Sequence, residues 1–211
     1  MPRPDSRRAR QLAAAEPPRR AWVVLGVAAA GMGIAGYLTW LKLSGVRAAL
    51  CAAGTGCDLV QASRYATLLG LPTAAWAVAL YAAVGALALA GLTAGRWLTA
   101  FALAAGGVGF SAYLTYLSVF EIGATCVYCL ASAATAVALI PALLWVRPGM
   151  PAHGSRLRPG RLAWLGTGSA VGAAVLGVLV FAAGTGGPAG YQLALARHLA
   201  ATKAVMYGAY W

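Results

Sequence analysis

Charge is scarce in this chain. Of its 211 residues only 9% are charged, and just four are acidic. A soluble domain carries about 25% charged residues, so there is too little charge here to coat a globule in water. No internal repeat is visible, which removes solenoids and other arrays, and no low-complexity tract stands out beyond an Ala/Gly bias. The two histidines, His153 and His198, lie outside the apolar runs and read as solvated. What is present is 61% hydrophobic residues with 27 glycines. That is the composition of membrane helices that pack closely through small residues.

The net charge of +12 raises nucleic acid as a partner, but its distribution argues against one. Arg3, Arg7, Arg8, Arg10, Arg19 and Arg20 crowd the start of the chain, and Arg147, Arg156, Arg158 and Arg161 form a second group. Both groups abut long apolar runs and read as orientation signals at membrane ends. No nucleic-acid partner is expected.

The chain divides accordingly. Residues 1–20 read as a disordered basic cytoplasmic tail. The run 21–41 is too long for a signal-peptide core and matches the roughly 20 residues that cross a bilayer. Further spans are expected at 71–92, 97–120, 127–146 and 162–183. In lipid every backbone polar group must be satisfied within its segment, so all five read as helices. Pro141 falls inside the fourth. A basic cytoplasmic loop (148–161) precedes the fifth span, and residues 184–211 follow it. With the N-terminus in the cytoplasm, inner segments hold eleven Lys/Arg and outer segments five, the expected bias. Trp40, Trp76, Trp97 and Trp145 near span ends read mostly as interfacial anchors.

The chemistry-bearing residues are Cys51, Cys57, Cys126 and Cys129. In this orientation all four face the outer, oxidising side. Cys126 and Cys129 open a helix with Thr125 as its expected N-cap. Their CxxC spacing keeps both sulfurs on one face, where free N–H groups and the helix dipole favour a thiolate. Cys129 lies about 5 Å deeper, one turn further in, so the outer sulfur can meet protein thiols and the inner one a lipid-soluble molecule. Cys51 and Cys57 form C-x5-C in a loop (44–70) that Gly54 and Gly56 allow to flex. Residues 58–70 read as a short amphipathic helix closed by Gly70, capping the bundle's outer mouth. Three chemistries are open to such sulfurs: a redox relay, two static disulfides, or one zinc ion. Zinc favours C-x2-4-C arms, which the C-x5-C arm and the inner Cys129 fit poorly.

Cys51, then Cys57-x-x-Val60-x-x-Ser63-Arg64-Tyr65-Ala66, then Gly70-Leu71-Pro72, Trp76, Tyr81 and Cys126-x-x-Cys129 resemble the vitamin K epoxide reductase family, specifically its bacterial homologues. The resemblance covers roughly residues 21–147. It implies an all-α integral membrane fold: a four-helix transmembrane bundle with a fifth transmembrane helix and a periplasmic cap. It also implies a thiol:quinone oxidoreductase that generates disulfides in the bacterial cell membrane. Cys126 and Cys129 would be the active pair, with Cys129 nearest a ubiquinone or menaquinone. Cys57 would exchange with Cys126, and Cys51 would take electrons from a thioredoxin-like dithiol. Ser63 matches the family's loop serine and is expected near the quinone or the cysteines; Trp76 is expected to wall the quinone pocket. No metal is implied. The position four after Cys129 is Ala133, where the vertebrate enzymes carry a tyrosine that contacts substrate, so vitamin K epoxide is not the expected substrate.

In fused bacterial members the fifth helix leads to a thioredoxin-like domain, and residues 203–211 look like the first strand of one. A truncation just before that domain's own Cys-x-x-Cys is therefore expected, with the partner dithiol arriving in trans and the chain acting as a monomer. Two readings compete: a thiol-electron transporter working without quinone, and a non-enzymatic membrane protein with structural disulfides or zinc. Glu121, beside the mouth, reads as a solvated loop carboxylate.

Overall fold

A computed structural model describes residues 21–46, 56–147, 159–184, 198–199 and 201–202. The basic tail, Cys51 with its neighbours, most of the second basic loop and almost all of the segment after residue 184 lie outside these.

The apolar runs form helices α1 (Ala21–Ser44), α3 (Thr73–Leu89), α4 (Ala94–Tyr116), α5 (Val127–Trp145) and α6 (Pro159–Gly184), with the short α2 (Gly56–Ala62) between α1 and α3. Four segments, Ala21–Ser44, Ala94–Glu121, Val127–Trp145 and Gly160–Ala183, are long and apolar enough to cross a bilayer. This is a multi-pass membrane protein. The second expected span is shorter than 71–92. Leu71–Pro72 forms a strand instead, and α3 keeps 17 residues, at the short limit for crossing.

Helices α1, α3, α4 and α5 close into a four-helix bundle, each touching two neighbours, and α6 packs along the outside of α4. From Ala21 to Leu38 the buried positions on α1 are Ala21, Val24, Ala28, Gly31, Ala35 and Leu38, and Leu41 is buried beyond them. This alternation of three and four residues is the seam of a left-handed bundle. Gly31 is required there, because a Cβ would stand 2.5 Å from the Tyr81 ring of α3. Tyr81 is fully buried, and its hydroxyl lies 2.7 Å from both the Ser132 carbonyl and Thr135 Oγ1 of α5. A polar tip in the bundle interior thus finds partners.

Trp97 is not the interfacial anchor expected of it. It is 0% exposed, and its Nε1–H donates to the Leu143 carbonyl at 2.8 Å. That carbonyl belongs to the last turn of α5, which has no intrahelical N–H to accept. Trp97→Phe should therefore destabilise the bundle by about 1–2 kcal/mol. Thermal unfolding of the solubilised chain reads this as a lower midpoint, and an unchanged midpoint would contradict the assignment.

The cap also differs from the single helix expected over 58–70. α2 ends at Ala62, and Ser63 turns extended. A 3-10 turn (Arg64–Ala66) follows, then the paired strands β1 (Thr67–Leu68) and β2 (Leu71–Pro72). Leu69 and Gly70 both take positive φ, 54° and 82°, as a two-residue hairpin turn demands. Gly70 thus closes a hairpin rather than a helix.

Candidate active site

The structure brings Cys57, Cys126 and Cys129 together at one end of the bundle. Cys57 and Cys126, 7% and 2% exposed, form a cluster with Val60, Tyr128 and Cys129 packed against it. Cys57 is disulfide-bonded, whereas Cys126 and Cys129 are free thiols. Cys51 lies outside the described residues.

Three local devices set this arrangement. The first is at Gly56, expected from the sequence to lend flexibility. A Cβ there would run into the Thr125 carbonyl oxygen and stand 2.8 Å from the Thr125 nitrogen. The glycine is therefore a point of close backbone approach that seats α2 against the extended segment leading into α5. The second is Ser118, which sequence reasoning missed. Leu117–Glu121 forms a π-helical turn. Within it Ser118 Oγ donates to the Ala124 carbonyl at 2.5 Å, and the Ala124 N–H donates back to the Ser118 carbonyl at 3.0 Å. This reciprocal pair ties the α4–α5 connection into a fixed loop just ahead of Cys126. The third is at the other edge of the cap, where the Lys42 ammonium of α1 donates to the Gln61 carbonyl in the last turn of α2. Cations are favoured at helix C-termini.

The N-cap of α5 is Cys126, not Thr125. Its backbone is extended, and its sulfur accepts from the Cys129 N–H at 3.3 Å. Sulfur occupies the place of the usual capping oxygen, on a donor that the helix leaves free. The Cys126 thiol is accordingly lowered from 9.0 to about 7. The side-chain hydrogen bond from Cys129 contributes most, the backbone N–H groups of Cys129 and Tyr128 add to it, and burial opposes. A lowered thiol pKa means the reactive thiolate accumulates as pH rises through about 7 rather than 9. Alkylation of Cys126 should follow that titration, and a midpoint near 9 would contradict the hydrogen bonding of Cys126 to the Cys129 side chain and the helix-start N–H groups.

Next to the thiols lies a cavity of about 820 Å³. Cys126, Cys129, Tyr81, Ser132, Ser63 and Trp76 are among its walls, so both sequence-picked candidates for a ligand pocket reach it. The Ser63 hydroxyl donates to the Val60 carbonyl at 2.7 Å, and the Trp76 indole N–H to the Leu68 carbonyl at 3.2 Å. Each side chain thereby also braces the cap over the cavity. Most of the remaining wall is aliphatic, with Leu38, Leu80 and Leu114 among it. Such a chamber suits a lipid-soluble ring compound, and a quinone fits its size and polarity. On the far side of Cys57 a smaller hollow of about 410 Å³ is bounded by Leu41, Lys42, Asp58 and Tyr128.

A capped four-helix bundle, a CxxC at a helix start and a loop cysteine packed on it are now in place. Residues 22–144 match the profile of the Vitamin K epoxide reductase family. The chain belongs to that family. As a member of the vitamin K epoxide reductase family it is a membrane thiol–disulfide oxidoreductase, and the family exchanges electrons with quinones. The matched segment contains the bundle, the cap and all four cysteines, and it ends before α6.

Proposed function

We propose that this protein oxidises the dithiol of a thioredoxin-like partner and passes the electrons through Cys51/Cys57 and Cys126/Cys129 to ubiquinone or menaquinone. The observation that supports this most is the packing of Cys57 on Cys126, with Cys129 on the cavity wall behind. It puts a loop sulfur, an interface sulfur and an inner sulfur in series.

In the proposed cycle a thiolate of the reduced partner attacks the Cys51–Cys57 bond. The partner's second thiol closes its own disulfide, leaving Cys51 and Cys57 reduced. The Cys57 thiolate then attacks Cys126 Sγ of the oxidised inner pair and expels the Cys129 thiolate. Cys51 attacks Cys57, restores the loop disulfide and expels Cys126 as a thiolate. The inner dithiol gives two electrons and two protons to the quinone and closes again. Each exchange needs an attacking thiolate and a good leaving thiolate, and Cys126, lowered to about 7, serves as the leaving group. The quinone supplies the oxidising power; the chain supplies position, the thiolate at Cys126 and a dry chamber. A bonded Cys57 beside free Cys126 and Cys129 matches the stage just before electrons leave the inner pair.

The charge bias favours a cytoplasmic N-terminus with the thiol end of the bundle outside, in a compartment where partner disulfides persist. The test is purified chain in lipid nanodiscs with a reduced thioredoxin-like protein and either quinone. Loss of quinone absorbance in step with partner oxidation is expected. Partner oxidation that proceeds equally without quinone would sink the reading.

A further inference from the structure

We propose that Phe181, on the helix beyond the family-matched segment, is a positioning residue for the cap: it seats Tyr65 on the α4 side and so holds the second half of the cap over the chamber beside Cys129. Its effect on turnover rests on the quinone reading above; its hold on the cap does not.

On three sides the cap is tied down by contacts within the matched segment. Gly56 meets the Thr125 backbone ahead of α5. Lys42 of α1 donates to the Gln61 carbonyl. On the α3 side Thr73 Oγ1 donates to the Tyr65 carbonyl at 3.1 Å, and Trp76 Nε1–H to the Leu68 carbonyl at 3.2 Å. The first two contacts hold α2, which carries Cys57. The others hold the stretch from Tyr65 to Pro72, of which Tyr65, Leu68, Leu69 and Pro72 line the chamber. On the α4 side a tie comes from α6. Phe181, in its last turn, meets the Tyr65 ring at 5.3 Å between centroids and 76° between planes, and the Tyr113 ring of α4 at 6.3 Å.

Phe181 can serve as a post because α6 is locked against α4. A Cβ on Gly109 would overlap the Ala170 backbone. One on Gly177, a turn before Phe181, would stand 2.9 Å from the Phe110 ring and 3.0 Å from the Tyr113 ring. Glycines let helix surfaces approach this closely in lipid, where van der Waals packing drives their association. Tyr65 is prepared from its other end. Its hydroxyl accepts from the Arg64 guanidinium at 2.6 Å, and that guanidinium stands 4.8 Å from the ring centroid. The polar tip is thus satisfied by its chain neighbour, which leaves the ring body for an aromatic partner. An edge-to-face pair is directional, so Phe181 fixes how the Tyr65 ring stands and not only that it is covered.

The full chain in nanodiscs carries the test. In Phe181→Ala, amide hydrogen exchange over residues 64–72 should run about fivefold faster, the scale of one lost edge-to-face contact, while residues 56–62 keep their wild-type rate. With the partner dithiol saturating, KM for quinone should rise by a similar factor and kcat should hold, because the chamber wall moves and the thiols do not. Phe181→Tyr keeps the ring and should restore both. Phe181→Leu keeps an apolar side chain on α4 without the ring and should not; it carries both measurements if Phe181→Ala fails to accumulate. Tyr65→Leu should match Phe181→Leu, and the double variant should add nothing to either, as expected of a coupled pair. Exchange over 64–72 that Phe181→Leu leaves at the wild-type rate overturns the inference. So does exchange that quickens equally along the whole chain, which marks a general loss of stability, and so does faster cap exchange with quinone KM unmoved. If wild type reduces no quinone, the quinone reading fails, and the exchange comparison still decides whether Phe181 holds the cap.

Discussion

Cys129→Ala should reduce dithiol-driven quinone reduction to background while the protein still accumulates in the membrane. Cys129 is half-buried at the cavity wall and receives no substitute from its surroundings: among the described residues the only other sulfurs in its cluster are those of Cys57 and Cys126. Without it the inner pair cannot close, so no two-electron donor faces the quinone. Residues that act as a chemical unit fail together rather than additively, so Cys126→Ala should be equally inactive. Cys57→Ala should behave differently. It stops turnover driven by the protein dithiol, but a small, membrane-permeant dithiol that reaches Cys126 directly should restore part of it. Equal loss in all three variants, with no rescue of Cys57→Ala, would contradict the assignment of Cys57 as carrier and Cys129 as donor.

The second large effect is expected at a residue with no functional group. Gly56→Val should slow electron transfer from the loop pair to the inner pair by about a hundredfold, the scale of a displacement near 1 Å at a reacting centre. The cause is steric: no Cβ fits between Gly56 and the Thr125 backbone. A side chain there lifts the start of α2, which carries Cys57, away from Cys126. Quinone reduction by a pre-reduced inner pair, followed in a single turnover, should fall far less than turnover with the partner dithiol. Rapid-mixing kinetics separate the two steps. A Gly56→Val protein with both steps unaltered would show that the close approach at Thr125 does not position the cap.

The spans were legible in the sequence because each is an apolar run free of internal charge, and lipid leaves such a run little choice but helix. Which face of each span turns inward was not legible. The helices are apolar all round, so no amphipathic stripe marks the seam. Trp97 shows the consequence, since a tryptophan at a span end suits an interface as well as a buried contact. The four cysteines were legible as a set through their spacing. Their supporting geometry was less so. A glycine that permits motion and a glycine that permits contact look alike in sequence, and Gly56 is the second kind. Thr125 and Cys126 are adjacent short side chains that can each accept an N–H, and only the backbone shows that the sulfur does so. Ser118 was invisible because its partner, Ala124, is specified by a π-helical turn that no periodicity announces. The cap helix ended early for a similar reason: Ser63 takes the Val60 carbonyl locally, and a hairpin turn at Leu69–Gly70 follows.

The central claim is that Cys57 and Cys126 meet in the working protein. A variant with Cys51 and Cys129 both replaced by alanine keeps only those two sulfurs. On mild oxidation in intact membranes it should form one intramolecular disulfide between them, seen as a single linked peptide by mass spectrometry. Two thiols that stay separately alkylatable under the same oxidant, or that label from opposite faces of the bilayer, would contradict it.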